Sequence, residues 1–239
     1  MRRCFPIAAL AAACLAGGTV GSAAGAGIPA GFPATQQLAV LTVAHGAHTA
    51  PEPGSPQVTV VAARRPITGE RTTLPVIGLS TAGNGVHWLR VMLPGRPDGS
   101  TGWIIEPGTR TLFTGWRLAV DLTAKRVTVY RGGRAVRAFR AVVGKPSTPT
   151  PTGRFFVEET LQMAPGEAGG PFALALSARS NTLQEFEGGQ GQIALHGREN
   201  LAGALGTAAS HGCVRLATAS IDWLAARIGP GTPVTIYGG

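Results

Sequence analysis

The sequence predicts a mainly β protein: a β-sandwich domain with one short helix towards its C-terminal end, preceded by a small β-barrel-like module. Three observations predict it. Thirty-five Gly and 18 Pro punctuate 239 residues, which favours many turns and short strands over long helices. Charged residues make up only 14% and hydrophobic residues 44%, a balance that supports a packed core rather than disorder. The apolar runs are short and alternate with period two, and helical spacing is evident in one place near the end.

Residues 1–27 read as a targeting segment. Arg2 and Arg3 form a basic start, Phe5 to Leu15 an apolar stretch, and Ala24-Gly25-Ala26 a small-residue cleavage site. The apolar stretch is short for a membrane span, so a soluble exported chain in the periplasm or cell wall is expected, with no stable membrane insertion. Cys14 follows Ala11-Ala12-Ala13, and Ala11 is a poor match to the aliphatic residue a lipid-anchor signal needs there.

Residues 28–55 are small, polar and Pro-bearing, and read as a linker. Residues 56–112 hold β-like runs at 57–61, 74–77 and 86–91. In the last, Trp88 and Arg90 alternate with Leu89 and Val91, the pattern of a half-buried strand. The cluster Leu93-Pro94-Gly95-Arg96-Pro97-Asp98-Gly99-Ser100 reads as a turn leading to a returning strand at 102–105. The run from Trp88 to Ile104 loosely resembles bacterial Src-homology-3-like modules.

Residues 116–238 form the second domain. Leu118–Leu122 and Arg126–Tyr130 flank Thr123-Ala124-Lys125 as a hairpin, and a second turn at 131–134 leads into the run 135–143. A Pro/Thr-rich stretch at 144–153 precedes Phe155-Phe156-Val157. Residues 162–192 are Gly-rich and polar around Phe172 to Leu176, and read as a long surface excursion of the kind that forms functional lids. Ile221, Leu224 and Ile228 recur at helical spacing, with Ser220 as cap and Gly229-Pro230 as stop, before a closing strand at 234–237.

The formal charge of +9 becomes +7 once Arg2 and Arg3 are removed. The positive residues are dispersed, so nucleic-acid binding is not expected; attraction to an anionic envelope polymer is. Cys4 and Cys14 fall in the targeting segment, which leaves Cys213 alone. A lone cysteine in an exported chain has no internal disulfide partner. Its neighbours, Ser210-His211-Gly212 before it and Val214-Arg215 after it, are not those of a core strand, and point to a reactive thiol.

A cysteine nucleophile has an ordinary pKa near 8.5 and needs a base to take its proton, together with donors for the oxyanion of a tetrahedral intermediate. Gly212 permits a tight turn before Cys213, where successive amides can converge on one developing charge. His211, two residues away, and His196, at the end of a run whose Ile193 and Leu195 face the opposite way, are both candidate bases on spacing alone. Metal ligation is not expected, since neither CxxC nor HExxH accompanies these residues, and no resolving cysteine is available for redox chemistry.

His196-Gly197 followed by Ser210-His211-Gly212-Cys213-Val214-Arg215-Leu216 resembles the signature of the L,D-transpeptidase catalytic domain, the YkuD family. Gly144, Pro151, Gly153 and Phe155 match its Gly/Thr-Pro-x-Gly-x-Phe region, and the likeness covers residues 116–238. The resemblance implies Cys213 as nucleophile and His196, rather than His211, as proton donor and acceptor, with the Gly197 carbonyl orienting its ring. It implies an oxyanion site of His211, Gly212 and Cys213 amides, and a pocket shaped by Ser210 and Arg215, the latter pairing with a substrate carboxylate or held in a structural salt bridge. The implied substrates are peptidoglycan stem peptides. The implied reaction is 3→3 cross-linking through a thioester in cell wall biogenesis, with no cofactor and no metal. An L,D-carboxypeptidase, or a wall-binding protein with a silent catalytic domain, are the alternatives. Family members often carry Asn soon after the Arg-Leu pair; here Ala217-Thr218-Ala219 follows, a departure that bears on capping of the next helix.

Overall fold

The computed structural model describes residues 32–183, 185 and 190–238. The expected targeting segment at 1–27, with Cys4 and Cys14, lies outside them. The described residues are mainly β, in curled sheets with one short helix.

The N-terminal half contributes β1 (Gln36–Leu41), β2 (His45–His48), β3 (Gln57–Val61), β4 (Thr73–Thr81), β5 (His87–Met92), β6 (Thr101–Ile105) and β7 (Thr109–Thr114). They form a seven-stranded sheet in the order β3-β2-β6-β5-β4-β1-β7, curled around a core that includes Leu41, Leu74, Leu89, Val91 and Ile104. The stretch expected as a linker therefore holds two strands. Leu38 to Leu41 are buried because β4 and β7 pair with β1 on its two sides. His-Gly-Ala-His in β2 carries no β-branched residue to announce a strand; ladder bonds to β3 and β6 impose it. Trp88, placed on the open face of its strand by alternation, is buried under an edge-on contact with His48, ring centroids 5.6 Å apart.

The C-terminal half contributes β8 (Trp116–Asp121), β9 (Arg126–Arg131), β10 (Arg134–Arg140), β11 (Val143–Gly144), β12 (Gly153–Gln162), β13 (Phe172–Arg179), β14 (Gln192–His196), β15 (Ala208–Ser210), β16 (Val214–Arg215), α1 (Thr218–Ala225) and β17 (Pro233–Tyr237). Eight of these strands run in the order β10-β9-β8-β17-β12-β13-β14-β16, and β11 pairs with β15 apart from them. One core joins Leu118, Val120 and Val129 from the first strands to Leu174, Leu176 and Leu195 from the last. The sheet thus folds over on itself as the expected sandwich, with α1 packing Ile221 and Leu224 against that core. The helix starts two residues before Ser220, after an extended Ala217 with no side-chain cap. Alanine carries no side-chain oxygen to accept a first-turn N–H, so the cap is left unmade.

Two further points position the site. The supposed excursion at 162–192 contains β13, an eight-residue strand buried from Leu174 onward between β12 and β14. Among the described residues its flanks, 163–171 before it and 180–183 with 190–191 after it, lie outside strands. The adjacent residues Phe155 and Phe156 point to opposite faces of β12: Phe155 fills the C-terminal core and Phe156 the N-terminal one.

Candidate active site

Parallel pairing of β14 with β16 brings the two sequence motifs together. Leu195 lies opposite Val214 and His196 opposite Arg215, and the Leu216 N–H donates to the His196 carbonyl at 2.8 Å. Ile193 and Leu195 turn into the core, so the period of two sends Ala194 and His196 to the other face.

The turn before Cys213 is held from beneath. Gly212 has φ +121°, in the region that favours glycine, and a Cβ there would come 3.0 Å from Ile193 Cδ1. Ser210 is fully buried; its hydroxyl donates to the Cys213 carbonyl at 2.6 Å and accepts from the Gly212 N–H at 3.2 Å. The side chain braces the nucleophile turn from within. Thr150 Oγ1 donates to the Gly212 carbonyl at 2.7 Å and accepts from the Gly144 N–H at 2.9 Å, and Thr148 Oγ1 donates to the Ser210 carbonyl at 3.3 Å. The motif region at 144–153 is therefore the floor on which the Cys213 turn rests.

His196 Nδ1 lies 2.7 Å from the Gly197 carbonyl. A carbonyl only accepts, so Nδ1 carries the proton and Nε2 presents a lone pair. Burial lowers the pKa of His196 below the ordinary value, and the Arg215 charge adds to this against the opposing bonds to Gly197 and Gly169. The imidazole is thus neutral at neutral pH, the state a base needs. The turn at Gly169-Gly170 closes over it. A Cβ on Gly169 would meet His196 Nδ1 at 2.7 Å, and one on Gly197 would meet the Gly170 carbonyl oxygen at 1.8 Å.

Cys213 is partly buried and in no disulfide, and its Sγ donates to the Gln192 carbonyl at 3.9 Å. Cys213, His196, His211 and Arg215 line one cavity of about 330 Å³ with Met163, Glu167, Leu183, Gln192 and Leu201. Its walls include Met163 and Glu167 from 163–171, Ser180, Leu183 and Gly191 from the residues after β13, and Leu201 from 197–207. Arg215 donates to the Ala202 carbonyl at 2.7 Å, which steadies the last of these. His211 is exposed at the rim, with Nε2 3.2 Å from Lys145 Nζ. Among the described residues no group of three or more His, Cys, Asp or Glu is placed to hold a metal ion, and no helix is long and apolar enough to cross a membrane.

Sequence reasoning missed the residues behind the site. Glu158 and Glu159 are buried in β12. Glu158 accepts from Arg65 in a short contact, from Arg179 at 3.1 Å and from Gln192 Nε2 at 3.3 Å. Adjacent acids directly after the apolar run Phe155-Phe156-Val157 were the available signal, since a buried charge requires partners.

A family model described as the L,D-transpeptidase catalytic domain matches residues 115–236. Two proteins named as L,D-transpeptidase YkuD, from Bacillus subtilis and Bacillus licheniformis, are each 32% identical over 134 residues. Each match spans 56% of this chain and 73% of the relative. Among solved structures, the catalytic domain of an Enterococcus faecium L,D-transpeptidase aligns at 21% identity with a TM-score of 0.41. That alignment covers 51% of this chain and 96% of the other. An L,D-transpeptidase from Mycobacterium smegmatis aligns at 18% identity and TM-score 0.40, over 69% and 99%.

Proposed function

The chain belongs to the L,D-transpeptidase catalytic domain family, and we propose that it forms 3→3 cross-links between peptidoglycan stem peptides through a thioester on Cys213. The observation that carries this reading is the shared cavity of Cys213 and a neutral His196 whose Nδ1 proton is committed to the Gly197 carbonyl. In the first half-reaction the Cys213 proton passes to His196 Nε2, and the sulfur attacks the carbonyl joining the L-centre of meso-diaminopimelate to the terminal D-Ala. The carbonyl oxygen becomes an oxyanion facing the backbone N–H groups of the Cys213 turn. Of the three expected donors, the Gly212 N–H already donates to Ser210 Oγ, so the assignment rests first on His211 and Cys213.

The tetrahedral intermediate collapses as His196 returns the proton to the departing amine, releasing D-Ala and leaving the thioester. The side-chain amine of a second stem then attacks, His196 takes its proton, and the thiolate leaves. Arg215 at the cavity edge supplies a fixed positive charge for a stem carboxylate. Export to the periplasm or cell wall belongs to the same proposal, as does the Src-homology-3-like character of the N-terminal half, whose sheet begins at residue 36 rather than 56. The test is incubation with tetrapeptide muropeptides and analysis by mass spectrometry. D-Ala release with cross-linked dimers supports the transpeptidase; D-Ala release without dimers replaces it with an L,D-carboxypeptidase.

A further inference from the structure

We propose that the turn at residues 93–100 of the N-terminal half, acting through Arg96 and Asp98, positions a wall of the catalytic pocket. The N-terminal half is then a working part of the site rather than a separable wall-binding module. This deepens the function proposed above and rests on its assignment of Cys213 to the reacting site.

The turn leaves the N-terminal sheet between β5 and β6 and reaches the connection that follows β13. Arg96 Nη2 donates to the Ser180 carbonyl at 2.8 Å and lies 3.4 Å from the carbonyls of Leu183 and Gln190. Asp98 Oδ1 accepts from the Arg179 N–H at 2.9 Å, one residue earlier. A single turn therefore holds the described residues on either end of the connection, Arg179, Ser180 and Leu183 on one and Gln190 on the other. The same connection supplies Ser180, Leu183 and Gly191 to the cavity that holds Cys213 and His196. Its backbone closes tightly: a Cβ on Gly191 would stand 2.0 Å from the Leu183 carbonyl oxygen and 3.6 Å from Arg96 Nη2. A guanidinium set among several carbonyl oxygens suits this role, since its N–H groups are numerous and fixed in direction, and it cannot lose its charge.

A second contact acts in the same sense. Arg65, also from the N-terminal half, pairs with buried Glu158; Glu158 accepts from the side chain of Gln192, and the Gln192 carbonyl accepts the Cys213 thiol. Phe156 anchors β12 in the N-terminal core between these contacts. Arg65 and Arg96 touch neither substrate nor sulfur; they are positioning residues.

The experiment measures alkylation of Cys213 by iodoacetamide in the full chain, followed on the Cys213 peptide by mass spectrometry so that Cys4 and Cys14 do not contribute. This readout requires no acyl transfer, so failure of the transpeptidase assay and failure of this proposal are distinguishable. With Arg96→Gln the alkylation rate should rise roughly three- to ten-fold, the scale of losing a small set of hydrogen bonds that hold a loop. Arg96→Lys should restore part of the protection. In the active enzyme, Arg96→Gln should raise KM for the donor stem several-fold while kcat stays within about two-fold. Arg90→Gln, an exposed arginine of the same sheet, should change neither. A folded Arg96→Gln protein with wild-type alkylation and KM overturns the proposal. If that variant fails to fold, Asp98→Ala, which removes the acceptor of the Arg179 N–H, carries the same test, and wild-type alkylation and KM in it overturn the proposal.

Discussion

Gly197→Ala tests how His196 is held. The added Cβ would stand 1.8 Å from the Gly170 carbonyl oxygen, 2.7 Å from the Gly170 carbonyl carbon and 3.0 Å from the Gly169 oxygen. All three are backbone atoms, so no side chain can swing aside. Ordinary contact requires the strand end and the Gly169-Gly170 turn to separate by roughly 1.5 Å. Overpacking of this kind costs about 1–3 kcal/mol, which in a chain of this size corresponds to a fall in Tm of about 3–10 °C. The same shift pulls the Gly197 carbonyl away from His196 Nδ1, where the bond is now 2.7 Å, and frees the ring to turn. A displacement near 1 Å at a catalytic group costs on the order of a hundred-fold in rate. Thermal unfolding by circular dichroism reads the first effect, and the rate of carbapenem acylation followed by intact mass reads the second. Gly54→Ala, where the new Cβ meets nothing within 4 Å, is the control. Wild-type Tm and acylation in Gly197→Ala would refute the claim that this glycine sets the imidazole.

Ser210→Ala removes the hydroxyl that joins the Cys213 carbonyl to the Gly212 N–H. It should cost about 1–3 kcal/mol in urea unfolding and slow acylation without changing the affinity for donor peptide. Glu158→Ala leaves Arg65 and Arg179 without their shared buried carboxylate, and should lower the unfolding free energy by about 3–5 kcal/mol. The His196 pKa is lowered on folding, so the unfolded chain binds the extra proton first as pH falls. The resulting stabilisation is complete above about pH 6.5 and is lost as pH drops from there towards the lowered folded value. The difference in unfolding free energy between wild type and His196→Gln, measured from pH 7.5 downwards, should shrink over that window; a difference independent of pH would contradict the buried neutral imidazole.

The fold class was legible because turn residues and period-two runs are local signals, and the helix because Ile221, Leu224 and Ile228 share one face. The strands β1, β2 and β13 were not legible as such. In β2 the residues are small or polar, and in β1 and β13 the apolar residues sit beside polar or Gly-rich stretches, so that it is pairing with neighbouring strands that defines them. For the site, cysteine counting singled out Cys213 and strand alternation placed His196 on the face opposite Ile193 and Leu195. The bonds that Ser210 makes to the Cys213 turn were not legible, because a serine beside a nucleophile reads the same whether its hydroxyl points to substrate or to backbone. Arg65 and Arg96 were invisible because their partners lie far away in sequence, across the two halves of the chain, and Glu158 gave no more than the signal of two adjacent acids.

The central claim is that Cys213 is the nucleophile and His196 its base. Intact-mass analysis with peptide mapping after carbapenem treatment tests it most directly. One adduct is expected on Cys213 in the wild type, none in a folded Cys213→Ala variant, near-complete loss in His196→Ala and a smaller loss in His211→Ala. A folded wild-type protein without the adduct, or a folded His211→Ala variant slower than His196→Ala, would contradict it.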